Sequence, residues 1–377
     1  MKFKNANVFL EDQGFTRAGF AVENGIFSEI RKGEGPEDGI DLQGQYVIPG
    51  LIDIHTHGNS GADFSDGDYE GLKKMARYLA ENGVTGFAPA SMTLPYDVLE
   101  TAYLTAKRLR DEEPADCAAL LGINMEGPFF SEKKKGAQNG AYLRNPDWEA
   151  FQHLYEVSDG LIRIADLAPE LPGAVEFTEK ASKLCTVSVA HTDASYDEAR
   201  AVYEAGATHL THLYNAMPGI HHRKPGVIGA ASECEQVYAE LICDGQHVHP
   251  SAVRMAFRLF PERICLISDA LRCCGMAEGT YELAGLEVRL YNAEARLADG
   301  TLAGSVTDLG ECMRRAAAFG IPMEEAIRAA SCRPAKALGL EGELGDIASG
   351  LAADFTVCGE DLRPERVFIN GTEIQEE

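Results

Sequence analysis

The 377-residue chain is too long for one small domain and suits one large barrel with a small companion domain. Its 45% apolar content can fill a sizeable core, yet no run of 18 apolar residues is present to span a bilayer. A formal charge of −25 excludes nucleic acid and anionic membranes as natural partners, so an anionic ligand would need a local basic patch, for which "HHRK" at 221–224 is a candidate.

The chain opens "MKFKNANVFLEDQG", with no apolar block of signal-peptide length, and a cytoplasmic protein is expected. The stretch "RAGFAVENGIFSEI" follows, two strand-like runs around Asn24-Gly25, a hairpin signal. Next come eight short β-rich runs: "YVIPGLIDI", "VTGFAPASM", "CAALLGINM", "LIRIADLA", "CTVSVA", "ATHLTHL", "VYAELIC" and "RICLIS". Helix-like segments such as "DYEGLKKMARYLAEN", "PYDVLETAYLTAKRLRDE", "SYDEARAVYEAG" and "PSAVRMAFRLF" separate most of them, and "VTDLGECMRRAAAFG" and "MEEAIRAASCRPAKALG" follow the last. Near the end, "ADFTVCG" and "RVFINGTEI" are again strand-like, with Asn370-Gly371 as a second hairpin signal.

Eight strands alternating with helices predict an α/β fold, a (β/α)8 TIM barrel over 49–337. The two strand-rich ends predict a small β-sandwich domain built from 1–48 and 338–377. An open doubly wound sheet is the alternative, but no G-x-G-x-x-G opens a helix. Ten scattered cysteines without a C-x-x-C pair point to reduced, buried thiols, the adjacent Cys273 and Cys274 included.

A barrel draws its chemistry from the C-terminal ends of its strands. Those ends carry His55 and His57, Glu126, His191, His212, Asp244 with His247, and Asp269. Residues i and i+2 of a strand face one side, so His55 and His57 can both point into the barrel mouth, where imidazoles and carboxylates can share a cation. His209, three positions from His212, belongs on another face and is expected in the core. His249 precedes a helix-opening proline and is expected to be structural. His153 is expected on a helix surface, and His221 and His222 lie in a loop with no assigned role.

In chain order, "PGLIDIHTHG", "NMEGPFFSEKKKGAQN", "VAHTDASYDEA", "THLYNAMPGIHHRKPGVIGA", "CDGQHVHP", "ISDA" and "GTLAGS" resemble the N-acetylglucosamine-6-phosphate deacetylases, a family of the amidohydrolase superfamily. The resemblance implies metal-dependent removal of the acetyl group from N-acetylglucosamine 6-phosphate, giving glucosamine 6-phosphate and acetate. It implies Glu126, His191 and His212 as ligands of one divalent ion, zinc first, with iron, manganese or cobalt as alternatives. His55 and His57 would hold a second ion, so one or two per subunit, and Asp269 would be the catalytic acid and base. Asn215 and the Ala216 backbone would hold the phosphate, with Arg223 and His247 reaching in from the other subunit of a homodimer. Ala137, Gln138, Leu302, Ala303, Gly304 and Ser305 would line the sugar pocket. Gln138 stands where many members have a histidine; its amide can donate a hydrogen bond but carries no charge. The galactosamine epimer, another amidohydrolase substrate such as a cyclic amide or nucleobase, and a non-catalytic scaffold are the competing readings.

Overall fold

The computed structural model describes residues 1–375; the last two positions of the 338–377 segment lie outside the described residues. Both chain ends enter one eight-stranded sheet. Lys2–Leu10, Gly14–Glu23 and Ile26–Lys32 form an antiparallel meander, and Phe355–Cys358 joins it through Tyr46–Pro49. Asn24-Gly25 closes one hairpin with φ of 53° and 79°, and Asn370-Gly371 closes another with 47° and 71°. These are the left-handed values that a two-residue turn needs to match strand twist, and Asn and Gly tolerate them best.

Period-two alternation sends neighbouring residues of this sheet to different cores. Val8, Val47 and Val357 pack inside the small domain with Phe3, Phe20, Phe355 and Phe368, whereas Phe9, Ile48 and Cys358 join the core of the barrel. Phe355 is the hub of the smaller cluster: its ring lies 4.4 Å from Phe368, 5.0 Å from Phe20 and 5.4 Å from Phe3. Phe355→Ala should therefore cost about 3–5 kcal/mol of stability in reversible denaturant unfolding. A loss under about 1 kcal/mol would mean that this cluster is not a tightly packed core.

The barrel strands are Leu51–Thr56, Val84–Pro89, Ile123–Phe129, Ile162–Leu167, Thr186–Val189, His209–Leu210, Tyr238–Ile242 and Ile264–Ile267. The third to the eighth form one continuous parallel ladder, and the first pairs with the second. Two short seams close the ring. Ala90 bridges to Asn124 between the second and third strands, and the Asp269 N–H donates to the His55 carbonyl (2.9 Å) between the eighth and first. Helices outside the ring start at capping side chains that satisfy orphan N–H groups, among them Asp68, Ser195 and Asp308; Ser195 forms a full capping box with Glu198.

Two elements differ from the sequence expectation. "YVIPGLIDI" is two strands in different sheets, divided at Gly50. There the backbone passes so close to Thr85 that a β-carbon would fall inside its side chain. An antiparallel four-stranded sheet, Gly279–Leu283, Leu286–Tyr291, Glu294–Leu297 and Leu302–Gly304, follows the eighth barrel strand where no element was assigned. Its alternation is legible in "LEVRLY", where Val288 and Leu290 turn inward and Glu287, Arg289 and Tyr291 outward. No helix among the described residues is long and apolar enough to cross a membrane.

Candidate active site

Three of the rim residues hold backbone conformations that side chains with a β-carbon avoid. His191, His212 and Asp269, each just past a barrel strand, have φ of 43°, 28° and 48°. Each such residue costs roughly 1–3 kcal/mol, a strain that persists only where the surroundings enforce it. The effect is to turn the side chain off the strand direction and into the barrel mouth. His55 and His57 need no such distortion, because strand alternation already places both rings on one side, 5.3 Å apart.

Five donors converge there. Glu126 Oε1 lies 3.1 Å from His191 Nε2 and 3.2 Å from His212 Nε2, and the two ring nitrogens are 3.1 Å apart. On the other side of the carboxylate, Glu126 Oε2 is 3.3 Å from His57 Nε2, and His55 Nε2 is 3.5 Å from Oε1. Asp269 Oδ1 stands 3.4 Å from His57 Nε2 and 3.8 Å from His55 Nε2. Among the described residues, two buried groups could hold a metal ion: Glu126 with His191 and His212, and His55 with His57 and Glu126.

The outer nitrogens say what the inner ones carry. His57 Nδ1 meets the Ala90 carbonyl (3.1 Å), His191 Nδ1 the Lys134 carbonyl (2.9 Å) and His55 Nδ1 the Glu240 carboxylate (2.9 Å). All three acceptors require a hydrogen on Nδ1, which in a neutral ring leaves the Nε2 lone pair facing the cluster. Lone pairs aimed at a carboxylate repel it unless a cation lies between them, and His55 Nε2 finds no hydrogen-bond partner at all. Ligands at 2.0–2.1 Å from a tetrahedral ion stand about 3.3–3.4 Å apart, close to the 3.1–3.2 Å edges of the Glu126–His191–His212 triangle. The residues present therefore fit a divalent cation.

Electrostatics lead the same way. Burial alone would raise the pKa of Glu126, but the His191 and His212 rings, which donate hydrogen bonds to it when they carry a second proton, and the nearby His57 and His55 hold it well below the ordinary carboxylate range. Burial would lower His55, yet Glu240, Glu126 and Asp269 together push it well above the usual imidazole value. The cluster demands positive charge, which protons on the rings or a metal ion can supply. Asp269 is also buried, which alone would raise it; His57 and His55 bring it below its ordinary value, so it stands ionised.

The cluster forms the floor of a cavity of about 270 Å³, lined also by Met92, Gly136, Asn215, Ala216, His247 and Thr301. Ala137, Gln138, Leu302, Ala303 and Gly304 line it as expected positions do, but Ser305 does not. The Ser305 hydroxyl turns behind the wall and donates to the Ser268 carbonyl (2.5 Å), serving the backbone of the eighth strand. Gln138 is held at both ends: its carbonyl accepts from the Thr93 N–H (2.7 Å) and its amide donates to Glu126 Oε2 (2.6 Å).

His247 lines this chain's own cavity, anchored to Asp244 (2.7 Å) three residues back, so its assignment to a partner's site is corrected. The tight turn that joins the two side chains aims the ring inward. Arg223 lies instead in an exposed loop and is absent from the cavity wall of its own chain. His209 is buried with Nε2 on Glu240 (3.1 Å), His249 caps the helix Pro250–Leu259, and His153 meets Glu100 at the surface. Cys273 and Cys274 are buried thiols pushed by that burial to about 11 and about 12, so neither is a ready nucleophile.

The sequence reading missed Glu240 and Asp166. Both are fully buried carboxylates on barrel strands beneath the site. A charged residue in the middle of an apolar strand, as in "VYAELIC", is the signal that could have found them.

The Amidohydrolase family model matches residues 46–374. The chain is 35% identical over 353 residues to N-acetylglucosamine-6-phosphate deacetylase of Vibrio furnissii, covering 93% of this chain and 88% of that protein. It is also 35% identical to N-acetylgalactosamine-6-phosphate deacetylase of Escherichia coli O157:H7, covering 87% of each. Among solved structures, an aspartate-to-alanine variant of N-acetyl-D-glucosamine-6-phosphate deacetylase from Mycobacterium smegmatis, in complex with N-acetyl-D-glucosamine 6-phosphate, superposes with a TM-score of 0.93. Its identity is 30%, and the match covers 100% of this chain and 99% of that one.

Proposed function

The chain belongs to the amidohydrolase family, and from that premise we propose that it hydrolyses the acetamide of N-acetylglucosamine 6-phosphate to glucosamine 6-phosphate and acetate. The observation that carries this reading is the convergence of Glu126, His191 and His212 to within 3.1–3.2 Å in the lining of one pocket. These three would hold one divalent cation, and His55 and His57 with Glu126 would hold a second. A set of imidazoles and one carboxylate suits zinc, with iron, manganese and cobalt as competitors. When bound, such an ion polarises an acyl oxygen and acidifies water.

The chain's own residues supply the rest. Asp269, ionised and beside His57, takes a proton from the attacking water. It then passes that proton to the amide nitrogen as the C–N bond breaks, so the amine leaves neutral. Gln138 steadies Glu126 and, with Ala137, Leu302, Ala303 and Gly304, encloses the sugar. Asn215, the Ala216 backbone and His247 face the phosphate, and binding of this remote group orients the amide for attack. Arg223, on an exposed loop, completes the phosphate grip in the partner's pocket of a homodimer, the positive charge an anionic substrate needs on a chain with net charge −25. Ten free cysteines support a reducing, cytoplasmic setting.

The galactosamine epimer is a second reading, because the relative acting on it is as similar as the glucosamine one. Acetate release from both sugar phosphates, with and without chelator, alongside elemental analysis, tests the proposal. Chelator-resistant release, or release from neither sugar, would overturn it. Arg223→Ala should raise KM for the phosphorylated sugar about 10–100-fold, the worth of a charged hydrogen bond, and leave the unphosphorylated sugar nearly unaffected. Equal effects on both would remove Arg223 from the phosphate.

A further inference from the structure

Beneath the ring of donors, Glu240 stands on the strand Tyr238–Ile242 with no exposed surface and both oxygens engaged. Its Oε2 accepts from His55 Nδ1 (2.9 Å) and from the His212 backbone N–H (3.1 Å), and its Oε1 accepts from His209 Nε2 (3.1 Å). An unpaired carboxylate this deep would be costly; three donors make it tolerable. The donors come from the first and sixth strands, so one side chain of the seventh ties two strands together across the lumen, past the eighth.

The consequence for His55 is directional. A carboxylate can only accept, so Nδ1 keeps the hydrogen and Nε2 is presented to Glu126 and Asp269. His57 and His191 are oriented by neutral backbone carbonyls; of these three rings, His55 is the one oriented by a full negative charge, which also makes its Nε2 a stronger donor. The bond to His212 is made to its backbone, which a neutral oxygen can serve equally well.

We propose that Glu240 is the positioning residue of the His55–His57–Glu126 metal position. It selects the His55 tautomer and holds the ring with Nε2 inward, so it governs uptake of an ion there, while the Glu126–His191–His212 position fills without it. This rests on the metal-dependent reading of the site, but its test uses no sugar, so it can fail while deacetylation stands, or the reverse.

Metal-free full-length protein is titrated with Co²⁺ against a chromophoric chelator, and the histidine ring nitrogens are followed by long-range ¹H–¹⁵N spectra, with His55→Gln assigning the His55 signals. Wild type should take up two equivalents and show a hydrogen on His55 Nδ1, the nitrogen that faces Glu240. Glu240→Gln, which removes charge but keeps shape, should weaken one equivalent by about 10-fold, and Glu240→Leu by about 100-fold with a mixed His55 tautomer. The other equivalent should change less than about 3-fold, well below the roughly 10–100-fold of that outer-shell effect. If the leucine variant does not fold, the glutamine variant carries the test. Four results would each overturn the proposal: a single equivalent in wild type, a His55 Nδ1 without hydrogen in wild type, unchanged affinities in the variants, or equal weakening of both equivalents.

Discussion

Asp269→Asn is expected to lower kcat by about 10³-fold or more while KM and metal content stay near wild type. General acid–base transfer is worth about 10²–10⁴-fold, and here one carboxylate is assigned both proton steps. Asparagine keeps the shape and can still meet His57, but it neither accepts a proton from water nor returns one to the amine. Metal content should survive because Asp269 belongs to neither three-donor group. Its oxygen lies 3.4 and 3.8 Å from the inner nitrogens of His57 and His55, at the edge of the cluster. Steady-state kinetics with elemental analysis on the same preparation decides the matter. Turnover within tenfold of wild type would reject Asp269 as the proton carrier, and loss of metal together with activity would make it a ligand instead.

Glu126→Gln should abolish activity by a different route, through the ion. Glu126 is shared by both three-donor groups, so no other substitution removes charge from both at once. In the variant, metal content should fall below one equivalent and activity should drop to background, with no recovery on adding zinc. Chelated wild-type protein should lose activity to the same degree but recover when zinc is returned. Both metal-free forms should melt at a lower temperature than the loaded protein. An ion present at a thousand times its dissociation constant contributes about 4 kcal/mol to the native state. Full metal content in the glutamine variant would show that the imidazoles alone hold the ion and that Glu126 has another task.

The contrast between these substitutions follows from where strain and burial are concentrated. His191, His212 and Asp269 all occupy the left-handed region at strand ends, whereas the two histidines of "HTH" sit in or beside an ordinary strand. Barrel closure supports this arrangement directly: the Asp269 N–H is bonded to the His55 carbonyl, so the seam that seals the first and eighth strands also sets the proton carrier beside His57. A substitution that loosens the seam should therefore misplace Asp269 before it unfolds the barrel.

Local periodicity carried much of this protein in its sequence. The two Asn-Gly turns, the eight apolar runs spaced by amphipathic helices, and polar residues at successive strand ends are consequences of φ/ψ preference and of side-chain periods of 2 and 3.6, which operate over a few residues. They predicted the barrel, the sheet from both termini and the rim on which Glu126, His191, His212 and Asp269 stand. What they could not carry were relations set by closure of the ring and by the approach of distant backbone. Glu240 meets His55 across 185 residues of chain. Gly50 separates two sheets because Thr85 crowds it. Ser305 turns away from the cavity to serve the Ser268 carbonyl, and His247 turns into its own pocket through Asp244. Each depends on which face of a strand the finished barrel leaves inward and on what arrives there from elsewhere, and such contacts arise only once the whole ring has closed.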